Sequence, residues 1–210
     1  MFIPAFESMK LKLFRTPYDA GILVLGDKGT GRSQLSNVLS GNSFEPQTLY
    51  SLPQWYELFK FEPPSEHFPN YVIMIAPYHD SDINETILKN VQMVMLLASY
   101  DNLDSFNNLQ NKWIPLLKEI KIYFQPTAKF CILLMKSDLI GTEQQKITND
   151  MVSSLPRDEF SIYSISSKTN DGIEELKDQI KIIINQNIND TVEEIKKRMK
   201  SSSKREEDQI

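Results

Sequence analysis

The sequence predicts an α/β fold built on a mostly parallel six-stranded sheet with helices on both faces. Three observations predict it. Apolar runs of strand length alternate with segments whose apolar residues recur at helical spacing. Two of the runs, "VIMIA" and "CILLM", are apolar at nearly every position, as strands covered on both faces require. The chain has 210 residues and 40% apolar content, enough for one well-buried domain and short for two.

The elements follow in order. Gly21–Leu25 is the first strand, a glycine-rich turn comes next, and Ser33–Leu39 is a helix. A polar, proline-bearing loop runs to Pro53. "QWYELFKF" and "NYVIMIAP" read as two strands joined by "EPPSEHFPN", a hairpin with a long loop. "VQMVMLLA" is a further strand, and "SFNNLQNKWIPLLKEI" is a helix in which Phe106, Leu109, Trp113, Leu116 and Ile120 recur at helical spacing. "KFCILLM" is a strand, Thr142–Ser153 a weaker helix, "FSIYSIS" a strand, and a last helix starts at Gly172. The expected order is β-α-β-β-α-β-α-β-α-β-α. In open sheets of this kind ligands bind at the carboxyl ends of the strands, so function should lie in the loops that follow them.

The last helix should bury Ile173, Leu176, Ile180 and Ile183. A similar spacing returns as Ile188, Val192, Ile195 and Met199, which either extends the helix into solvent or offers a stripe to a partner. The organisation read from this is an N-terminal extension over 1–20, one domain over 21–186 and a C-terminal helical or disordered tail over 187–210.

Composition excludes several classes. A net charge of -5 leaves no surplus of Lys and Arg to neutralise phosphates, which argues against nucleic acid. The basic residues cluster only in "KKRMKSSSKREED", where both signs mix as in a solvated tail. Cys131 is the one cysteine, so no disulfide forms within the chain, and a cytoplasmic location fits. No apolar run approaches the roughly 20 residues of a membrane span. Phe2 stands where myristoylation needs glycine, and "EEDQI" has no cysteine to prenylate, so no direct lipid anchor is expected.

Gly26-Asp-Lys-Gly-Thr-Gly31-Arg-Ser33 fits G-x-x-x-x-G-[KR]-[ST] between a strand and a helix. Glycines let successive backbone N–H groups point inward, and the helix N-terminus adds its positive end, so such a loop holds a polyphosphate. The candidate phosphate-binding residues are Lys28, Gly29, Thr30, Gly31, Arg32, Ser33 and Gln34, and Ser33 supplies the hydroxyl that usually ligates magnesium. The bland reading is an ordinary strand-to-helix turn.

Two later stretches weigh against the bland reading. "CILLMKSDL" puts Lys136 and Asp138 just after a strand, and "YSISSKTNDGIEEL" puts Ser166, Ser167 and Lys168 after the next. With these motifs the sequence resembles the Ras superfamily of small GTPases, most nearly its Ras and Rab branches, over roughly Gly21 to Ile184. "SYDNLDSFNNLQNKW" also looks like that family's segment after its fourth strand. The resemblance implies a P-loop NTPase G domain that takes GTP or GDP, with Mg2+ as a weakly held companion. It implies that Asp138 accepts the N1 and N2 hydrogens of guanine, that the Lys136 stem covers the base, and that the Ser166–Lys168 backbone donates to O6.

The chain also departs from the family. Met135 replaces the Asn that normally ties the base loop to the phosphate loop. The D-x-x-G motif is absent from "MIAPYHD": its Asp falls near Ile75, its Gly near Tyr78, and His79 lies about where the water-orienting glutamine would be. Thr48 and Ser51 both qualify as the first-switch residue. Arg32 stands for lysine, and a planar guanidinium is not equivalent to a compact ammonium. Lys28 sits where the family's glycine admits an activator's arginine. The expectation is a guanine-nucleotide-binding switch or GTP-loaded binding module, with protein effectors or complex partners and with weak or no hydrolysis. The alternative is a nucleotide-free pseudo-GTPase that serves as a scaffold.

Overall fold

Strand β1 (Ala20–Gly26) alternates between two hydrophobic cores, with Leu23 and Leu25 in one and Ile22 and Val24 in the other. The period of two sends successive side chains to opposite faces, and both faces are covered. β4 (Val91–Ser99) divides in the same way, Val94, Leu96 and Ala98 from Met93, Met95 and Leu97. β5 (Lys129–Met135) divides Ile132 and Leu134 from Cys131, Leu133 and Met135. Burying each Leu, Ile or Met side chain of this kind contributes about 1.5–3 kcal/mol, so these strands anchor the domain.

These features come from a computed structural model, which describes residues 20–39, 41, 43–44, 56–59, 71–75, 88–89, 91–186 and 190. The expectations for Thr48, Ser51, Tyr78, His79, the N-terminal extension and the stripe of Ile188, Val192, Ile195 and Met199 fall outside the described residues.

β1, β4, β5 and β6 (Ser161–Ile165) form an all-parallel core. On the far side of β1 the backbone of β3 (Tyr71–Ile75) pairs parallel to it, and β2 (Tyr56–Phe59) pairs antiparallel to β3. The order across the sheet is β2-β3-β1-β4-β5-β6. The direction of strand addition therefore reverses at β1, which opens a crevice at its carboxyl end. The register pairs Gly26 with Leu97, Ser99 with Met135 and Met135 with Ile165, so the loops after β1, β4, β5 and β6 emerge on one edge.

Helices cover both faces. α1 (Arg32–Leu39) packs Leu35, Val38 and Leu39 on one core, beside a helix over 173–186 that buries Ile173, Leu176, Ile180 and Ile184. Ile184, rather than the expected Ile183, is the last buried position, and Ile183 packs at the margin. The opposite core receives α2 (Leu103–Asn108) through Phe106, α3 (Ile114–Ile120) through Ile114 and Leu117, and the residues between them through Leu109 and Trp113.

One continuous helix was expected over 105–120, but α2 and α3 are separated by a π-helical turn, Leu109–Trp113, in which the N–H of Ile114 donates to the Leu109 carbonyl. Pro115 accounts for it: proline lacks an N–H and its ring crowds the carbonyl four residues earlier, so the widened turn relieves both problems. The extra residue advances the buried face by one position, and Leu117 is buried where Leu116 was expected.

The expected helix over Thr142–Ser153 shortens to α4 (Asn149–Ser153). Its start is fixed by Thr148, whose hydroxyl accepts from the Met151 N–H at 3.4 Å. Cys131 is a buried core residue, and burial pushes its thiol pKa well up. No helix among the described residues is long and apolar enough to cross a membrane.

Candidate functional site

The glycine-rich loop begins where β1 runs hard against β4. A Cβ on Gly26 would lie 2.7 Å from the Leu97 carbonyl oxygen, so only glycine fits. Asp27 then closes a turn, its carbonyl accepting from the Thr30 N–H at 3.3 Å and the Thr30 hydroxyl at 2.8 Å. This uses the polar groups of Thr30, which is fully buried. Lys28 and Gly29 are exposed at the tip, while Gly31, Arg32, Ser33 and Gln34 are half-buried. Gly31 has a φ of 99°, which a side chain would resist, and its carbonyl accepts from the Leu35 N–H at 2.8 Å as α1 starts.

The second cluster lies on the loops after β5 and β6. Asp138 is in a short 3-10 turn, Ser137–Leu139, preceded by Lys136 in the left-handed conformation at φ 63°. The Ser166 hydroxyl donates to Asp138 Oδ1 at 2.6 Å, and Lys168 Nζ stands 3.7 Å from Oδ2. Ser166 is the stronger support: a hydrogen bond to a charged group is worth about 1.5–3 kcal/mol, while an exposed ion pair contributes about 0–1 kcal/mol. The side chain of Lys168 is 64% exposed and that of Asp138 only 14%.

Ser166 also organises its own loop. Its Oγ accepts from the N–H groups of Lys168 and Thr169 at 3.2 Å each, and its N–H donates to the Asp171 carbonyl at 3.0 Å. The Ser137 hydroxyl donates to Asp171 Oδ2 at 3.1 Å and joins the two loops a second time. Ser167 is buried and its Oγ has no hydrogen-bond partner. The structure thus brings Asp138, Ser166 and Lys168 together.

Lys136 points to a partner that sequence reasoning missed. Its Nζ donates to Asp101 Oδ2 at 2.7 Å, and the Ser99 hydroxyl donates to Asp101 Oδ1 at 2.6 Å. Burial pushes the Asp101 carboxyl up, but the bonds from Lys136 and Ser99 and the Lys136 charge outweigh it and hold the pKa below the usual carboxylate range. Asp101 lies two residues after β4, and its signal in the sequence is a carboxylate at a strand's carboxyl end.

Met135 links the two halves of the site. It is 1% exposed, and a Cβ on Gly31 would lie 3.6 Å from its Cε. A methyl group packed against the phosphate-type loop therefore replaces the polar tie expected of Asn. Met135 also anchors the β4 loop, its carbonyl accepting from the Tyr100 N–H at 3.0 Å.

Asp27, Asn108 and Trp113 were also missed as a unit. Asn108 Nδ2 donates to Asp27 Oδ2 at 2.7 Å and Trp113 Nε1 donates to Asp27 Oδ1 at 2.9 Å. Trp113 had been read only as an apolar core residue. The available signals were a charged residue inside a glycine-rich loop and a proline inside a helix.

Ile75 is the last residue of β3 and lies beside Val24, two residues before Gly26. Among the described residues no group of three or more His, Cys, Asp or Glu side chains is placed to hold a metal ion.

No family model matches the chain. It is 29% identical over 128 residues to Mitochondrial Rho GTPase 1 of Arabidopsis thaliana, covering 59% of this chain and 19% of that protein. It is 28% identical over 137 residues to GTP-binding protein RHO3 of Saccharomyces cerevisiae, covering 61% of this chain and 54% of that protein. Mitochondrial Rho GTPase 2 of Arabidopsis thaliana is 23% identical over 142 residues, 65% of this chain and 20% of that protein. The chain thus spans about a fifth of the mitochondrial Rho GTPases it matches and about half of the yeast protein. With a glycine loop and two short motifs on one edge of a parallel α/β sheet, the chain is a distant homologue of the Ras-superfamily small GTPases.

Proposed function

We propose that residues 21–186 form a P-loop NTPase G domain that binds GTP or GDP and hydrolyses GTP slowly or not at all. The observation that carries the reading is Asp138, its carboxylate steadied by Ser166 at 2.6 Å on the edge where the glycine loop emerges. A carboxylate so held accepts from the N1 and N2 hydrogens of guanine, which adenine lacks at those places. Ser167 supplies a backbone donor toward O6, and the Lys136 stem flanks the base. Gly29, Gly31 and the first turn of α1 direct amides at the phosphates, with Arg32, Gln34 and Lys28 around them.

Hydrolysis has weaker support. Magnesium, if bound, would supply charge neutralisation at the phosphates, and Ser33 at the start of α1 is the hydroxyl that would hold it. The described residues hold no cluster fit for a metal, and the sequence has isoleucine at 75, where the D-x-x-G pattern would put its carboxylate. Arg32 in place of lysine and Lys28 at the loop tip point the same way.

The domain then serves as a switch or as a nucleotide-loaded module for protein partners, with 1–20 and 187–210 outside it. The first test is to denature the purified protein and identify any released nucleotide by anion-exchange chromatography. GDP or GTP supports the reading. Empty protein that gains no thermal stability from either nucleotide favours the scaffold reading, to which the Lys136–Asp101 pair lends weight because it satisfies Lys136 from within the chain.

A further inference from the structure

We infer that Asn108 and Trp113 are positioning residues for the phosphate loop, acting through the Asp27 carboxylate; the inference rests on the nucleotide-binding reading above. Asp27 follows Gly26 directly, and its backbone carbonyl already closes the turn with Thr30. Each of its carboxylate oxygens accepts from a different side chain, Asn108 at 2.7 Å and Trp113 at 2.9 Å. Hydrogen bonds to an ionised acceptor are the strong kind, and two of them fix the side chain's direction as well as its place.

The helix is shaped for this contact. Residues five apart on an α-helix lie roughly 140° apart around the axis and face different neighbours. The π-helical turn over Leu109–Trp113 brings the first and the sixth residue of the stretch Asn108–Trp113 toward one side. Trp113 is 6% exposed, so its indole N–H needs a partner inside the protein, and Asp27 is that partner.

The electrostatics explain why such a tether matters. A loop that holds a polyphosphate is a costly place for a carboxylate, because like charges a few ångströms apart repel. Neutral donors on both oxygens bind the Asp27 carboxylate to the helix and leave the loop's amides as its positive surface. They also hold the loop in one conformation before ligand arrives, which reduces the ordering cost of binding. The helix across β1 thereby becomes part of the nucleotide site.

The test is a double-mutant cycle on the full chain, read by the dissociation rate of a fluorescent GDP analogue. Trp113→Phe keeps the ring and removes the donor, and Asn108→Ala changes an exposed side chain that the core does not need. Each should speed dissociation by about five- to tenfold, the scale of part of one charged hydrogen bond. In an Asp27→Ala background, Trp113→Phe should change nothing further. Full additivity in that background would overturn the inference, because Trp113 would then act through packing alone. Hydrogen exchange of the amides over 26–33 in unliganded protein provides an arm independent of nucleotide. Both single substitutions should accelerate exchange there, and unchanged exchange in folded variants would overturn the inference. A wild type that fails to bind the analogue would sink the nucleotide reading, while the exchange arm would still decide the tether.

Discussion

The two flanks of the glycine loop are built differently. Toward β4, β5 and β6 it meets Asn108, Trp113 and Met135, and beyond them the interlocked loops of Asp101, Lys136, Asp138, Ser166 and Asp171. Toward β3 the neighbouring strand ends in Ile75, paired with Val24, and the D-x-x-G pattern is absent from the sequence there. On the reading proposed above, holding a nucleotide would draw on the first flank and cutting it on the second, so that binding and hydrolysis would be separable in one fold.

The largest expected effect breaks the first flank. On the proposed reading Asp138→Ala would remove the acceptor of two guanine hydrogen bonds, worth about 1.5–3 kcal/mol each, so GDP and GTP affinity should fall by more than about 100-fold. Calorimetric titration measures this directly. Equal thermal stabilisation of the wild type by ATP and GTP would contradict the role given to Asp138.

Next is the apolar tie between the halves of the site. Met135→Asn places an amide in a pocket that is 1% exposed, at a cost of about 1–3 kcal/mol if the amide finds no partner. Urea unfolding without nucleotide should show a lower midpoint. A variant as stable as wild type would mean that Asn finds the polar contacts its position offers in the family, and that Met135 is no special adaptation.

The second flank can be rebuilt rather than broken. Ile75→Asp with Tyr78→Gly restores the missing carboxylate and glycine at the end of β3. GDP affinity should become several-fold more dependent on magnesium than in the wild type, where removal of the metal with EDTA should matter little. No gain would show that the β3 register, with Ile75 beside Val24, does not bring residue 75 to the metal.

The smallest effect is a pH dependence. The Asp101 pKa is lowered in the fold, so its contribution is fully present above the unfolded value of about 3.9 and is lost as pH falls through the folded value. The Asp101–Lys136 pair is about one-third exposed, so its effect is screened by salt. Wild type should therefore lose slightly more stability than Asp101→Asn between pH 5 and pH 3, and the gap should narrow at high salt.

What could be read from the sequence follows from how local each signal is. The glycine loop, Asp138 and Ser166 each sit in a short motif after an apolar strand, and the parallel sheet carried them to one edge. Asp27 gave no such sign, because its donors lie 81 and 86 residues away. The π-helical turn was hidden because the apolar pattern fits a continuous α-helix nearly as well; only Pro115 hinted that the chain needs an extra residue there. Leu117 and Ile184 were missed by one position each, since a helical pattern leaves the neighbouring apolar residue as an equally good candidate. The Lys136–Asp101 pair escaped because Lys136 was already assigned to the base.

The central claim, binding without efficient chemistry, is tested most directly by loading the protein with GTP and following a single turnover. An unaided Ras domain hydrolyses GTP at about 3–5 × 10⁻⁴ s⁻¹. The expected result is stoichiometric GTP retention with a slower rate, little changed by EDTA. Turnover at or above the Ras rate and abolished by EDTA would contradict it, and would place a metal-holding carboxylate elsewhere, with Asp80 and Asp82 the first to replace.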